Sequence, residues 1–175
     1  MDAEGYTFPL DLGAKGSCTV GGNLATNAGG INFIRHNSLH ANCIGLKAVL
    51  PDGRVIDDMK ALRKDNTGYD LKHLFIGAEG TLGIITECAI LCPASASNKK
   101  MAFVACNSFE DIVKVMIAAK KALPDIISAF EFMDYQTVNL VFTHAAGRDK
   151  FPFKKEFPFY AIVEIATLSS ENEND

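Results

Sequence analysis

Fifteen residues constrain this chain more than any others: Gly16-Ser-Cys-Thr-Val-Gly-Gly-Asn-Leu-Ala-Thr-Asn-Ala-Gly-Gly30. Five glycines and two asparagines crowd this stretch, and one short helical turn, Asn23 to Ala28, is expected between its glycine pairs. Glycine loses conformational entropy on folding and contributes no side-chain packing. Such density fits a backbone lying directly against a ligand, or a tight turn capping a helix. In the first case Asn and Thr side chains and free backbone N–H groups offer donors to a phosphate or a polar ring edge. Both readings stay open at this level.

A second cluster, Gly77-Ala-Glu-Gly-Thr-Leu-Gly83, has Gly-x-x-Gly-x-x-Gly spacing and runs into an expected strand, Ile84 to Cys92. A Rossmann dinucleotide turn has Gly-x-Gly-x-x-Gly and runs from a strand into a helix, and a P-loop carries Lys-Ser/Thr. Neither matches. Glu79 and the surrounding N–H groups suit a nucleotide or polar ligand, and equally a β-turn.

The net charge of −4 argues against a general nucleic-acid or anionic-membrane surface. No apolar run reaches the roughly 18 residues of a membrane span, and the opening Met-Asp-Ala-Glu-Gly resembles neither a signal nor a transit peptide. With 48% apolar residues, 175 residues suffice for one medium domain or two small ones. The five cysteines (Cys18, Cys43, Cys88, Cys92, Cys106) are odd in number and scattered, which reads as buried thiols rather than a zinc site or disulfide framework.

In chain order, Tyr6 to Leu12 is an extended opening segment, and Ile31 to Asn42 a polar connection. His36 and His40 in that connection are expected to be solvated or backbone-bonded. Residues 43–58 form a β-hairpin around Pro51-Asp52-Gly53-Arg54. Leu62 to Asp70 is a polar loop whose glycine falls at the wrong place for a calcium loop. Leu71 to Ala78 is a short helix. Pro93 to Lys100 is the expected linker, dividing the chain into domains 1–95 and 96–175. Beyond it a β-α-β-α-β run is expected: strand 101–106, a helix capped by Ser108 and ended by Pro124, strand 126–133, helix Tyr135 to His144, and strand 157–165. The phenylalanines of this half read as core, His144 as an ordinary surface or core residue, and Ser169 to Asp175 as a mobile tail.

Pro9-Leu-Asp-Leu-Gly13, the Gly16–Gly30 stretch, Leu62-Arg-Lys-Asp-Asn-Thr-Gly-Tyr-Asp70 and Glu79-Gly-Thr-Leu-Gly-Ile-Ile85 together resemble the flavoprotein family of vanillyl-alcohol oxidase and p-cresol methylhydroxylase. Within it the likeness is to D-2-hydroxyglutarate dehydrogenase-like members, then to D-lactate dehydrogenases. Phe130-Glu-Phe-Met-Asp134 resembles the first strand of that family's substrate domain. The resemblance implies an α+β fold: the second subdomain of a p-cresol-methylhydroxylase-type FAD-binding domain, then the start of an FAD-linked oxidase C-terminal domain. It implies FAD as cofactor, a D-2-hydroxy acid as substrate, an electron acceptor such as an electron-transfer flavoprotein, and a mitochondrial location.

Carried over by motif, Gly13, Gly16, Ser17 and Thr19 would line the flavin and ribityl region. Gly22, Asn23, Thr26, Asn27, Ala28 and Gly29 would continue that face. Glu79, Gly80, Thr81, Gly83, Ile84 and Ile85 would approach the pyrophosphate and adenine side. The family's earlier phosphate loop and its later substrate and metal residues have no counterpart here. The expectation is therefore of an internal fragment that binds FAD weakly and is inactive alone, and no catalytic or metal residue is assigned.

Overall fold

The computed structural model describes residues 1–145 and 150–168. The chain divides into two compact units, Met1–Ser95 and Ala96–Asp175.

The first unit is built on the expected hairpin. β1 (Cys43–Val49) and β2 (Val55–Asp58) are antiparallel, and β3 (Ile84–Ile90) adds to the other side of β1, giving the order β2-β1-β3. The turn holds because Gly53 adopts φ +85° and Asp52 Oδ1 accepts the Arg54 N–H at 3.1 Å. As the central strand, β1 sends Leu46 and Ala48 into the core, while Lys47 on the opposite face bridges to Asp57 at 3.1 Å and Glu87 at 2.8 Å on its two neighbours.

The unit also holds four short helices, α1 (Val20–Ala25), α2 (Phe33–His36), α3 (Leu39–Asn42) and α4 (Lys72–Phe75), of which α1, α3 and α4 pack on the sheet. Helices this short do not hold themselves together in water. Leu24, Leu39 and Phe75 pin three of them into one cluster with Cys43, Leu46, Ala48 and Ile76.

The second unit has β4 (Asn98–Cys106), α5 (Phe109–Ala122), β5 (Ile127–Asp134), α6 (Tyr135–His144) and β6 (Phe159–Thr167). Its sheet is antiparallel, in the order β4-β6-β5. The Ser108 hydroxyl accepts the Asp111 N–H at 3.2 Å and starts α5, whose acidic first turn and basic last turn suit the helix dipole. Ile112 packs with Cys106 and Ala161. Tyr160 is fully buried, stacks on Phe103 at 5.4 Å, and sits among Phe151, Phe153 and Phe157.

The α+β class expected from the sequence holds, and several local expectations are corrected. Helix α1 begins at Val20 rather than Asn23, because Thr19 caps it and draws Gly21 and Gly22 into its first turn. The 31–42 connection contains two helical turns, and α4 is shorter than 71–78. Asn98 to Lys100, placed in the linker, are paired with β6. Cys18 is exposed rather than buried, and Phe132 is 52% exposed rather than core. The tail from Ser169 lies outside the described residues.

Candidate functional site

The glycine-rich stretch wraps α1. Thr19 Oγ1 accepts the Gly22 N–H at 3.1 Å, and Thr26 Oγ1 donates back to the Gly22 carbonyl at 3.1 Å. Ser17 Oγ donates to the Ala14 carbonyl, and Asn23 Nδ2 donates to Cys18 Sγ at 3.4 Å. Past the helix, Asn27 turns the chain with φ +51°, and its Oδ1 accepts the His40 N–H at 2.9 Å. The Ala28 carbonyl accepts the Leu39 N–H at 3.1 Å.

The second cluster docks onto the end of α1. Gly77 N–H donates to the Leu24 carbonyl at 3.0 Å, and Glu79 N–H to the Ala25 carbonyl at 2.9 Å. Glu79 itself stands at φ +50° and Gly80 at +79°. Thr81 Oγ1 donates to the Ala78 carbonyl at 2.6 Å. Ile84 opens β3 with 71% exposure, and Ile85 packs against the core cluster. The structure thus joins Leu24–Ala28 to Gly77–Glu79. Gly13 to Ser17 lie on the chain entering the other end of α1. The Ser17, Thr19, Thr26, Asn27 and Thr81 side chains all bond their own chain, so what this surface presents is chiefly backbone.

The glycines sort into two kinds. A Cβ on Gly30 would stand 2.3 Å from the Asp11 carbonyl oxygen, one on Gly29 2.9 Å from the Phe33 ring, and one on Gly83 2.6 Å from the Val49 carbonyl oxygen. The fold itself demands those three. Gly13, Gly16 and Gly21 are different: each is exposed, none has a positive φ, and a Cβ on any of them would meet nothing within 4 Å. Neither backbone conformation nor packing accounts for them. Gly21 was not among the sequence-selected residues. Neither was Val20, 44% exposed beside it.

Two clefts lie elsewhere in the first unit. One, of about 390 Å3, runs along 56–58 and 65–72. The other, of about 250 Å3, is lined by His40, Cys43, Arg63, Asp70, Lys72 and His73 among others. His73 Nδ1 lies 2.7 Å from His40 Nε2, and its Nε2 lies 3.2 Å from Asp70 Oδ2. Burial, and then the neighbouring His40, push the His73 imidazole below the usual histidine range. The expectation of a solvated or backbone-bonded His40 misses this neighbour, because His73 is 33 residues away.

Residues 1–58 match the family described as FAD binding domain, and residues 95–175 match FAD linked oxidases, C-terminal domain. The chain is similar to these FAD families over both matched stretches. A relative from Oryza sativa subsp. japonica named probable D-2-hydroxyglutarate dehydrogenase, mitochondrial, is 49% identical over all 175 residues, which span 31% of that protein. A putative mitochondrial D-lactate dehydrogenase of Schizosaccharomyces pombe is 47% identical over 98% of this chain and 32% of its own length. The chain therefore spans about a third of the curated relatives it matches. Among solved structures, alkyldihydroxyacetonephosphate synthase superposes with a TM-score of 0.72 at 21% identity, covering 95% of this chain and 32% of that one, a likeness of fold.

FAD is the cofactor both domain families share. The open glycine backbone at Gly13, Gly16 and Gly21, beside exposed Val20, fits the close approach of a large flat ligand. It offers amides for oxygens and apolar surface for a ring.

Proposed function

We propose that this chain supplies part of the FAD site of a mitochondrial flavoenzyme that oxidises a D-2-hydroxy acid, D-2-hydroxyglutarate above others, to the 2-oxo acid. The observation that carries the reading is the set of three exposed glycines, Gly13, Gly16 and Gly21, for which the fold gives no reason of its own. Residues 1–95 act as an FAD-binding subdomain, and 96–175 as the opening of the substrate domain. When bound, FAD would supply the acceptor, at flavin N5, for the hydride leaving the substrate C2 while a base that is not among the residues assigned here would take the hydroxyl proton, and an acceptor such as an electron-transfer flavoprotein would then take the electrons.

The chain's own residues have the simpler task of binding and orienting. Gly13 to Thr19 present backbone to the flavin and ribityl region. The face from Gly22 through Asn23, Thr26, Asn27 and Ala28 to Gly29 extends it, with Gly29 held against Phe33. The Glu79–Ile85 segment lies toward the pyrophosphate and adenine. Because Thr19, Thr26 and Asn27 already bond backbone of their own chain and Asn23 bonds Cys18 Sγ, removing one weakens FAD binding by loosening the turn rather than by deleting a ligand contact.

A D-lactate dehydrogenase-like enzyme is the second reading, supported by the 47% identical relative of that name. Testing the FAD site requires titrating the 175-residue chain with FAD and following flavin fluorescence. Saturable quenching is expected. Gly16→Val should weaken it at least tenfold while leaving the amide NMR spectrum of the rest of the first unit in place. An absence of saturable binding at high micromolar FAD, or equal binding by Gly16→Val, would sink the proposal.

A further inference from the structure

We propose that the cleft walled by Arg63, His40 and His73 binds an oxyanion, the carboxylate or phosphate group of a small molecule, with the Arg63 guanidinium as its principal contact. The proposal is independent of the flavin reading, since it draws on the first unit's residues between 40 and 73 and is tested without FAD.

Two carboxylates and two permanent cations line this cleft: Asp65, Asp70, Lys72 and Arg63. They do not pair off evenly. Lys72 Nζ lies 2.6 Å from each oxygen of Asp70. Asp65 accepts the Thr67 N–H on Oδ1 at 3.0 Å, and on Oδ2 it accepts from Lys60, a lysine outside the cleft, at 3.2 Å. Thr67 and then Lys60 hold the Asp65 carboxyl below the usual range, so it stays ionised and engaged. Arg63 is left over. Its side chain makes no hydrogen bond or ion pair among the described residues, in a chain whose 21 acidic residues outnumber its 17 lysines and arginines.

A spare guanidinium on an open surface would mean little. This one shares a concave wall with two imidazoles. His40 on α3 and His73 on α4 stand ring to ring, 3.8 Å between centroids. Leu39 and Phe75 anchor those two helices in the core, so the wall is in place before any ligand arrives. Each imidazole carries an N–H in whichever tautomer it adopts, and a positive charge whenever it takes up a proton. The buried Cys43 thiol adds no negative charge, because burial pushes it up. With both acids matched by lysines, the cleft keeps the positive charge of Arg63.

That charge has the wrong sign for a metal, and among the described residues no three His, Cys, Asp or Glu side chains gather to hold one. A guanidinium fork beside ring N–H groups is instead the donor set that carboxylates and phosphates accept from. The cleft's volume of about 250 Å3 is about eight times one water molecule's share of the liquid, which suits phosphate or a short dicarboxylate rather than a dinucleotide.

Inorganic phosphate and glutarate, each titrated into the isotope-labelled 175-residue chain at neutral pH and constant ionic strength, decide the matter by NMR. Saturable shifts are expected at the His40 and His73 ring C–H signals and at the Arg63 Nε–H signal, and chloride should produce none. Arg63→Gln should weaken binding about tenfold or more. Lys64→Gln removes the neighbouring exposed cation, which does not line the cleft, and should change affinity by less than about twofold. Arg63→Lys keeps the charge but loses the fork, and should fall between them. The amide spectrum of the first unit should be intact in all three, since neither Arg63 nor Lys64 has a side-chain partner to lose.

Binding of phosphate alone assigns the site to phosphorylated ligands, binding of glutarate alone to dicarboxylates, and mutual competition to the oxyanion group they share; each supports the proposal. No saturation by either anion at about 20 mM overturns it. So do shifts that spare the two rings, or a Lys64→Gln protein weakened as much as Arg63→Gln, which would reduce the effect to general surface charge.

Discussion

Replacing Gly16 and Gly30 by alanine should have opposite consequences, although the two glycines end the same fifteen-residue stretch. At Gly30 the backbone holds φ +72°, which costs an L-residue about 1–2 kcal/mol. The added Cβ would stand 2.3 Å from the Asp11 carbonyl oxygen and 3.0 Å from its carbon. That carbonyl cannot retreat freely, because it accepts the Ile31 N–H at 3.0 Å, and losing such a bond costs about 1 kcal/mol. The sum is about 2–3 kcal/mol. At about 4–8 °C per kcal/mol for a unit of this size, the melting point of the first unit should drop by roughly 8–24 °C.

At Gly16 the φ is open to any residue and the new Cβ meets nothing within 4 Å. Its effect on stability should stay within about 0.5 kcal/mol, or reach a gain of about 1 kcal/mol from a stiffer unfolded chain. Thermal melts read by amide NMR separate the first unit from the second, so no two-state assumption for the whole chain is needed. A Gly30→Ala protein that melts within about 1 kcal/mol of native would refute the packing account. A Gly16→Ala protein as damaged as Gly30→Ala would show that Gly16 is structural, and would remove one of the three glycines on which the FAD reading stands.

Exposed Cys18 should react with a thiol reagent first, and buried Cys43 and Cys106, whose thiols burial pushes up, last; mass mapping of a timed alkylation gives the order, and equal rates would contradict it. Tyr160→Phe deletes the hydroxyl that accepts the Phe157 N–H at 2.9 Å, and should cost the second unit about 1–2 kcal/mol in a urea melt, with no change in the first. Lys47→Met removes the bridge to Glu87 and Asp57, and should lower the urea midpoint at low salt more than at high salt. Asp57, held below the usual carboxylate range by Lys47 and by the Met59 N–H, contributes stability above its ordinary value of 3.8 that is lost as pH falls through the lowered folded value. An NMR titration of Asp57 that does not move in Lys47→Met would refute the pairing.

What was legible in the sequence was whatever is encoded within a few residues. The hairpin at 43–58 was visible because Pro51-Asp52-Gly53 fixes its own turn. Helix α6 was placed at its observed bounds, Tyr135–His144, where Asp134 Oδ1 accepts the Thr137 N–H at 2.8 Å. The helices α2, α3 and α4 were missed or misjudged in extent because a single turn has no period to detect. Of these, α3 and α4 exist because Leu39 and Phe75 find Leu24 and Leu46 across the chain. The start of α1 was missed by three residues because Gly-Gly reads as a breaker, while Thr19 supplies a cap that outweighs it.

The candidate site shows the same division more sharply. In sequence Gly13, Gly16, Gly21, Gly29, Gly30 and Gly83 are one letter, and a motif gathers them as a unit. In space Gly29, Gly30 and Gly83 answer to Phe33, Asp11 and Val49, and so would be needed whether or not a ligand were ever bound. Only the glycines left unexplained by the chain's own atoms bear on function, and that distinction requires knowing what stands within 4 Å of each missing Cβ. The His40–His73 pair makes the converse case. No spacing rule joins residues 33 apart, yet α3 and α4 each owe their place to one core side chain, Leu39 and Phe75. Packing that cannot be read from either segment alone is what brings the two imidazoles to 2.7 Å.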